Sequence, residues 1–283
     1  MRPSINKITD QVQTLKTQNS KLRIPEGELH PYFGRTELLI GEEGLRALQA
    51  ARVAVFGLGG VGSYAAEALA RCGVGYLRLV DFDIIGASNF NRQLYALRST
   101  LGKPKVEVAT ARLRDINPEL HIDGHEAFFH ADSVETLLAA PLDFVIDAID
   151  SLGPKCELLA QCVTRGIPVI SAMGAAARTD PTALRLGSVW ETDACPLARK
   201  VRRTLRKKGI TADIPVVFST EPPYGTFSAE QVGVSAEDFY QRGRPRRILP
   251  SMGMLPGIVG LMAANYVVQR IVKSDRCLVT SDQ

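Results

Sequence analysis

The sequence lacks the cysteine patterns of a zinc site or a disulfide framework. Its five cysteines are odd in number and scattered, and no two of them form a C-x-x-C pair. We therefore expect reduced thiols, as in a cytoplasmic protein. Cys195, just before Pro196, has two interpretations, a reactive thiol or a small packing residue. The five are Cys72, Cys156, Cys162, Cys195 and Cys277.

A long hydrophobic run is also missing. The most apolar stretch, Gly257 to Val268, is shorter than the roughly 20 residues of a membrane span, and Asn265 interrupts it. We expect a buried helix there, started by Pro256. The N-terminus has no apolar signal-like run, which favours a cytoplasmic location. With a net charge of only +4, any basic surface for a partner has to be local.

The histidines offer no metal site. His125 and His130 stand five positions apart, which is the wrong step for a zinc pair on one helix face. We interpret these two residues and the neighbouring His121 as structural.

The most informative stretch runs from Arg52 to Asp83. An apolar run ends at Phe56, a glycine turn and a helical pattern follow, and a second apolar run ends at Asp81. This strand–turn–helix–strand order, with an acid about 20 residues on, is typical of a nucleotide-binding unit. Glycines let the backbone approach a phosphate, and Asp81 can accept hydrogen bonds from ribose hydroxyls. The turn's glycines are Gly57, Gly59, Gly60 and Gly62.

The same alternation continues beyond this unit. A helical pattern follows Pro104, a strand runs from Phe144 to Asp150, a helix from Lys155 to Arg165, and a strand from Pro168 to Ser171. We predict a doubly wound, Rossmann-like α/β fold, with a mostly parallel sheet and helices on both faces. Residues 1–28 are expected to be a mobile tail and 29–175 the nucleotide-binding core. Residues 176–275 are expected to add a C-terminal α+β part to the same globular unit.

Pro196 to Lys208 is the most charged part of the chain. Leu197, Val201 and Leu205 form an apolar stripe, and lysines and arginines cover the rest of the predicted helix. Such a face is either simply solvated or a contact for a phosphate backbone. The density of positive charge favours the phosphate contact. A further basic cluster consists of Arg242, Arg244, Arg246 and Arg247.

Polar residues occur where a triphosphate needs them. Asn89 and Arg92 follow the strand that ends at Asp81, Lys105 starts the next helix, and Asp150 closes a later strand. Cationic side chains neutralise phosphates, and a carboxylate at a strand end can hold Mg²⁺. This set favours ATP over a nicotinamide cofactor, so an NAD-dependent oxidoreductase is the weaker alternative.

With these residues the sequence resembles the ubiquitin-activating-enzyme-like adenylyltransferases. Their pattern of a Gly-x-Gly-Gly-x-Gly turn, an acid-ended strand, Asn-x-x-Arg-Gln, a lysine and a strand-end aspartate is met here. The resemblance implies ATP and Mg²⁺ as cofactors, with Asp81 at the ribose and Asp150 at the metal. It also implies a homodimer in which Arg35 enters the partner's ATP site. The implied nucleotide site comprises Gly57, Gly59, Gly60, Gly62, Asp81, Asp83, Asn89, Arg92, Gln93, Lys105, Asp150 and Ser151, with Arg35, Arg92, Lys105 and Asp150 catalytic.

Within that family the sequence is similar to the branch that modifies tRNA. This implies ATP-dependent dehydration (cyclisation) of N6-threonylcarbamoyladenosine in the anticodon region, through a carboxyl-adenylate. Some members carry a cysteine near the last helix, but Ser251 to Met254 occupy that region here, so a covalent cysteine step is not expected. A sulfur-relay protein is left open as a partner. The alternative is activation of a ubiquitin-like or sulfur-carrier protein, which usually accompanies a zinc site.

Overall fold

The computed structural model describes residues 30–139, 141–225 and 249–279, with side chains as far as residue 273 in the last segment. The predicted tail and the cluster around Arg244 lie outside these residues. The strands are β1 Arg52–Phe56, β2 Tyr76–Val80, β3 His121–His125, β4 Phe144–Asp147, β5 Val169–Ala172, β6 Leu184–Ser188 and β7 Pro215–Ser219. The helices are α1 Gly34–Ala50, α2 Gly62–Arg71, α3 Lys105–Ile116, α4 Val134–Leu137, α5 Leu152–Arg165, α6 Pro196–Lys207 and α7 Met254–Val279.

The seven strands form one sheet in the order β3-β2-β1-β4-β5-β7-β6. All neighbouring strands are parallel except β6, which pairs antiparallel with β7. The strand order reverses between β1 and β4, so a crevice opens there at the carboxyl ends of the strands. The predicted doubly wound α/β fold is confirmed.

Each face of the sheet carries its own apolar layer. One layer packs α1, α2, α3 and α7 against the sheet, through residues such as Leu48, Leu69 and Val267. The other packs α4, α5 and α6, with Leu159, Val201 and Leu205 fully buried. The apolar stripe of the basic helix therefore faces the core, as its spacing predicts.

Several predicted boundaries differ from the structure by one to three residues. β4 ends at Asp147 rather than Asp150, because the Asp147 carboxylate accepts the N–H of Ile149 (3.1 Å) and turns the chain. α5 begins at Leu152 rather than Lys155, and β5 runs from Val169 to Ala172 rather than from Pro168 to Ser171. Asp150 consequently lies on the loop between β4 and α5, where its side chain is exposed.

The long last helix α7 packs against α1 and α2. Residues Met254–Lys273 are long and apolar enough to cross a membrane by length and composition alone, but 56% of that window is buried within the structure. Its inner face includes the fully buried Ala263 and Val267. The expected buried helix is present and starts two residues before Pro256.

Gly260 lets α7 approach the start of α2. A Cβ at this position would lie 2.2 Å from the carbonyl oxygen of Val61, a backbone atom that cannot move aside cheaply. We predict that Gly260→Ala lowers the free energy of unfolding by about 1–3 kcal/mol, since overpacking outweighs the better helix propensity of alanine. Urea-induced unfolding followed by circular dichroism measures this change.

Gly153→Ala in α5 is the matched control, because no atom lies within 4 Å of the added Cβ. We expect this variant to match the wild type or to gain up to about 1 kcal/mol. Equal stability of the two variants would contradict the close approach at Gly260.

Candidate functional site

The glycine turn joins β1 to α2 at the carboxyl edge of the sheet. Gly57 has φ +89°, and a Cβ on Gly62 would lie 1.7 Å from the carbonyl oxygen of Gly57, so neither position accepts a side chain. A Cβ on Gly59 would meet only the Gln93 amide nitrogen, at 3.7 Å. No side chain caps the start of α2. The turn is thus a cradle whose helix N-terminus suits a phosphate.

Asp81, at the end of β2, shapes this turn. Its carboxylate accepts the N–H of Leu58 (2.6 Å) and the N–H of Asp83 (2.8 Å), and the side chain is buried. Burial raises the pKa of Asp81, and the charge of Lys105 opposes that rise. Each Asp81 oxygen thus accepts one backbone hydrogen bond and keeps a further acceptor site, so the expected contact with the ribose stays a prediction.

Asp83 and Lys105 form an ion pair next to Asp81. The Lys105 ammonium contacts the Asp83 carboxylate at 2.8 Å. The lysine side chain is 5% exposed and the aspartate side chain 36%, so Asp83 is the accessible carboxylate at the end of β2. Lys105 opens α3, where the sequence places it.

The Ser88 to Gln93 segment folds over the glycine turn. The Asn89 side chain accepts the N–H of Gly86 (3.1 Å), and the Asn89 carbonyl accepts the N–H groups of Arg92 and Gln93. Asn89 therefore shapes the loop. A Cβ on Gly60 would lie 3.3 Å from Cγ of Arg92, which places that side chain directly over the turn.

Arg92 and Asp150 share this crevice. Burial lowers the pKa of the Arg92 guanidinium, and the negative charge of Asp150 partly offsets that effect. Arg92 donates to the carbonyl of Ser88 and to the side chain of Asn91, both at 2.8 Å. Ser151 donates to Asp150 at 3.2 Å. The structure thus brings together the cation, the carboxylate and the glycine turn that the sequence analysis selected.

Two buried cations beside this crevice were not predicted from the sequence. Arg178 is 4% exposed and donates to the backbone carbonyls of Gly174 (2.6 Å) and Glu221 (2.8 Å), which fixes the loops after β5 and β7. Lys155 is fully buried against Asp147 at 2.6 Å. Isolated basic residues give no local signal of burial, because their partners are distant in sequence.

Among the described side chains the thiols and histidines form no metal cage, and none of the four cysteines there is exposed. In the described residues no group of three or more His, Cys, Asp or Glu side chains could hold a metal ion. Cys195 is buried, and its sulfur accepts the N–H of Ala198 at the start of α6 (3.4 Å), so the packing interpretation is favoured. Burial also raises the pKa values of the Cys72 and Cys162 thiols.

The basic helix α6 starts at the edge of the sheet that holds the crevice. A Cβ on Gly174, which follows β5, would lie 3.4 Å from the Cys195 sulfur that precedes the helix. Two of its arginines are engaged within the protein: Arg202 donates to the Thr192 carbonyl (2.6 Å), and the Arg206 guanidinium lies over the Trp190 ring. Lys200 and Arg203 are exposed.

Arg35 lies far from the crevice of its own chain. Phe33, two residues before Arg35, packs against Gly73: a Cβ on Gly73 would lie 3.4 Å from the Phe33 ring. Gly73 lies just before the start of β2. Arg35 is therefore near the amino ends of the strands, whereas the glycine turn is at their carboxyl ends. A five-residue strand separates these edges by about 16 Å. Of the predicted site residues, Arg35 is the one that stands apart.

Comparison with known proteins agrees with this geometry. The model of the ThiF family matches residues 33–281, and the chain belongs to this family. The adenylyltransferase family expected from the sequence motifs is thereby confirmed.

The most informative relatives modify tRNA. The chain is 43% identical over 242 residues to the tRNA threonylcarbamoyladenosine dehydratase of Bacillus subtilis, covering 85% of this chain and 94% of that protein. The Escherichia coli tRNA N6-threonylcarbamoyladenosine dehydratase in complex with ATP has a TM-score of 0.75 at 33% identity, covering 87% of this chain and 95% of that one. The molybdopterin-synthase adenylyltransferase of Salmonella typhimurium is 42% identical over 138 residues, which span 49% of this chain and 54% of that protein.

Proposed function

We propose that this chain is an ATP-dependent enzyme that dehydrates N6-threonylcarbamoyladenosine in tRNA by forming a carboxyl-adenylate and closing a ring. One observation carries the proposal: the Arg92 side chain lies over an uncapped glycine turn at the β1–β4 crevice, and the Asp150 carboxylate is near enough for its charge to act on Arg92. The similarity to dehydratases extends over 242 residues, whereas that to the molybdopterin adenylyltransferase covers about half the chain. The tRNA substrate implies a cytoplasmic location.

ATP fits the residues of the crevice. The glycine turn and the start of α2 face the phosphates, with Arg92 and Lys105 as cations beside them. We assign the ribose hydroxyls to the two acids after β2: Asp83 is the more exposed, and each Asp81 oxygen accepts only one backbone N–H. Lys105 contacts Asp83 at 2.8 Å, so this cation can bridge the ribose side and the phosphate side of the nucleotide.

Mg²⁺ fits this site only together with ATP. The described residues hold no cage of three acidic or metal-binding side chains. Mg²⁺ is commonly held by one or two carboxylates plus substrate phosphates, and Asp150 is the exposed carboxylate at the crevice. The ion would supply charge neutralisation at the phosphates, and Asp150 would hold it there.

The reaction needs positioning more than a protein nucleophile. The substrate carboxylate attacks the α-phosphorus of ATP, an O–P bond forms, and pyrophosphate leaves. A nucleophile within the same threonylcarbamoyl group then attacks the acyl carbon, closes the ring and expels AMP. The nucleoside thus loses one water overall. Arg92 and Lys105 stabilise the charge that develops on the leaving phosphates.

The alternative is activation of a ubiquitin-like or sulfur-carrier protein. That chemistry also begins with a carboxyl-adenylate, so the ATP crevice alone does not separate the two functions. The basic face of α6 favours the tRNA substrate, because a nucleic acid presents a phosphate backbone to it.

A homodimer would complete the site. Arg35 lies at the opposite edge from its own crevice, so its approach to an ATP requires a second copy of the chain. Leu38 and Leu39 on the same helix are 71% and 81% exposed, which gives α1 an apolar surface suited to a subunit contact.

Replacing Asp150 tests the reaction. We expect Asp150→Ala to slow ATP-dependent loss of water from the nucleoside by about 100-fold or more, because the metal loses its protein ligand. Nucleoside mass spectrometry after incubation with ATP, Mg²⁺ and threonylcarbamoyladenosine-bearing tRNA measures this rate. Asp213→Ala, an exposed carboxylate before β7, should match the wild type. An untouched nucleoside with the wild-type enzyme, together with pyrophosphate exchange driven by a Gly-Gly-tailed protein, would instead support the alternative.

Neutralising α6 tests the tRNA surface. Lys200→Gln/Arg203→Gln avoids Arg202 and Arg206, which bond within the protein. We expect weaker tRNA binding. The slope of log affinity against log salt concentration should become less negative by about 1 to 2, because fewer counterions are released on binding. Arg114→Gln/Lys273→Gln removes equal charge from helices on the other face. Identical salt slopes for the two pairs, measured by filter binding, would exclude α6 as the tRNA surface.

Mixing two inactive variants tests the shared site. The Arg35→Ala subunit retains Asp150, and the Asp150→Ala subunit retains Arg35. After subunit exchange, half of the dimers are mixed and one site in each is intact, so about a quarter of wild-type activity should return. A mixture that stays inactive, although exchange is verified by differently tagged subunits, would argue against a shared site.

A further inference from the structure

A fully buried polar network lies directly behind the Asp150 loop. The Lys155 ammonium donates to the Asp147 carboxylate (2.6 Å), the Ser171 hydroxyl (3.1 Å) and the Ala172 carbonyl (3.0 Å). Ser171 also donates to Asp147 at 2.5 Å. Lys155, Asp147 and Ser171 are all 0% exposed. The three ammonium hydrogens therefore each have an acceptor.

Stability alone does not account for such a network. Removing two charges from water is costly, and well-packed apolar residues of similar size usually stabilise a protein as well or better. A fully satisfied buried network instead fixes one arrangement of the groups that it joins. Here it joins the end of β4, the end of β5 and the first turn of α5, which surround the crevice.

The network reaches the site through the backbone after β4. The second oxygen of Asp147 accepts the N–H of Ile149 at 3.1 Å. Between them, the Ala148 N–H donates to the Phe56 carbonyl (2.8 Å), and the Ala148 carbonyl lies 2.8 Å from where a Cβ on Gly57 would be. The turn from Asp147 to Ile149 is thus held between the buried ammonium and the glycine cradle, and Asp150 is the next residue.

We propose that Lys155, Asp147 and Ser171 are positioning residues that hold the Ala148–Asp150 backbone so that the Asp150 carboxylate stays at the metal-binding place beside Arg92. The inference rests on the proposed function, because it takes Asp150 as the Mg²⁺ ligand. None of the three touches the substrate or the metal. They act by fixing the ligand before ATP arrives, as residues behind a metal ligand do in other sites.

Ser171→Ala is the main test, because it removes one hydroxyl and leaves the ion pair. We expect Mn²⁺ to bind about 10-fold more weakly to the enzyme–AMPCPP complex, by electron paramagnetic resonance, with AMP affinity unchanged. The Mg²⁺ concentration for half-maximal activity should rise similarly, while kcat at saturating Mg²⁺ is retained. The Ile149 amide should exchange its hydrogen faster than in the wild type.

Cys162→Ala is the matched control, because it removes one buried heavy atom from α5 that takes no part in the hydrogen bonds of the network. It should leave the Mn²⁺ affinity and the Mg²⁺ midpoint at wild-type values. The charge-neutral pair Asp147→Asn/Lys155→Met should show a larger metal defect than Ser171→Ala. If that pair does not fold, Ser171→Ala alone decides.

The outcomes distinguish a failure of this inference from a failure of the proposed function. Wild-type Mn²⁺ affinity and amide exchange in Ser171→Ala, with only a lower melting temperature, would reduce the network to a structural role. If in addition Asp150→Ala abolishes dehydration, the proposed function stands without the inference. If Asp150→Ala dehydrates tRNA normally, the metal role of Asp150 fails, and the inference fails with it.

Discussion

The site depends on a backbone contact that only glycine permits. A Cβ on Gly62 would lie 1.7 Å from the carbonyl oxygen of Gly57, so the chain can leave β1 and enter α2 only without side chains at these places. That contact holds the first turn of α2 against the Ala148 segment, since the same Cβ would lie 3.2 Å from the Ala148 side chain. From the other side, α7 approaches Val61 through Gly260. The turn is thus held by close backbone contacts on two sides, while a Cβ on Gly59 would meet only the Gln93 amide nitrogen.

The sequence alone predicted the parts of this arrangement that repeat locally. The glycine turn, the buried stripe of α6 and the apolar α7 have spacings that report their structure directly. The sequence could not show that Asp81 is buried and accepts the Leu58 N–H while Asp83 is more exposed, because two acids two residues apart give the same local pattern. The burial of Lys155 could not be predicted either, because its partners Asp147 and Ser171 lie 8 and 16 residues away in the sequence.

Three cation–carboxylate pairs lie around the crevice, and a ligand has different access to each of them. Lys155 and Asp147 have no solvent exposure, so a ligand in the crevice cannot reach their contact. Lys105 is paired with a partly exposed carboxylate, and Asp150 is exposed beside Arg92. Phosphates and a metal can therefore exchange partners with the outer two pairs. The inner pair keeps the loop geometry while the outer charges rearrange.

This difference between the buried pair and the two outer pairs suits a reaction that needs no activated protein nucleophile. Burial raises the pKa values of the Cys72, Cys156 and Cys162 thiols, and Cys195 is buried as the cap of α6. In the described part of the chain these four cysteines are therefore placed for packing. Ring closure within a single substrate group requires only that the adenylate be formed and kept from water. The proposed site brings a packed glycine turn, a carboxylate and two cations to that task, and Arg35 of a second copy would complete it.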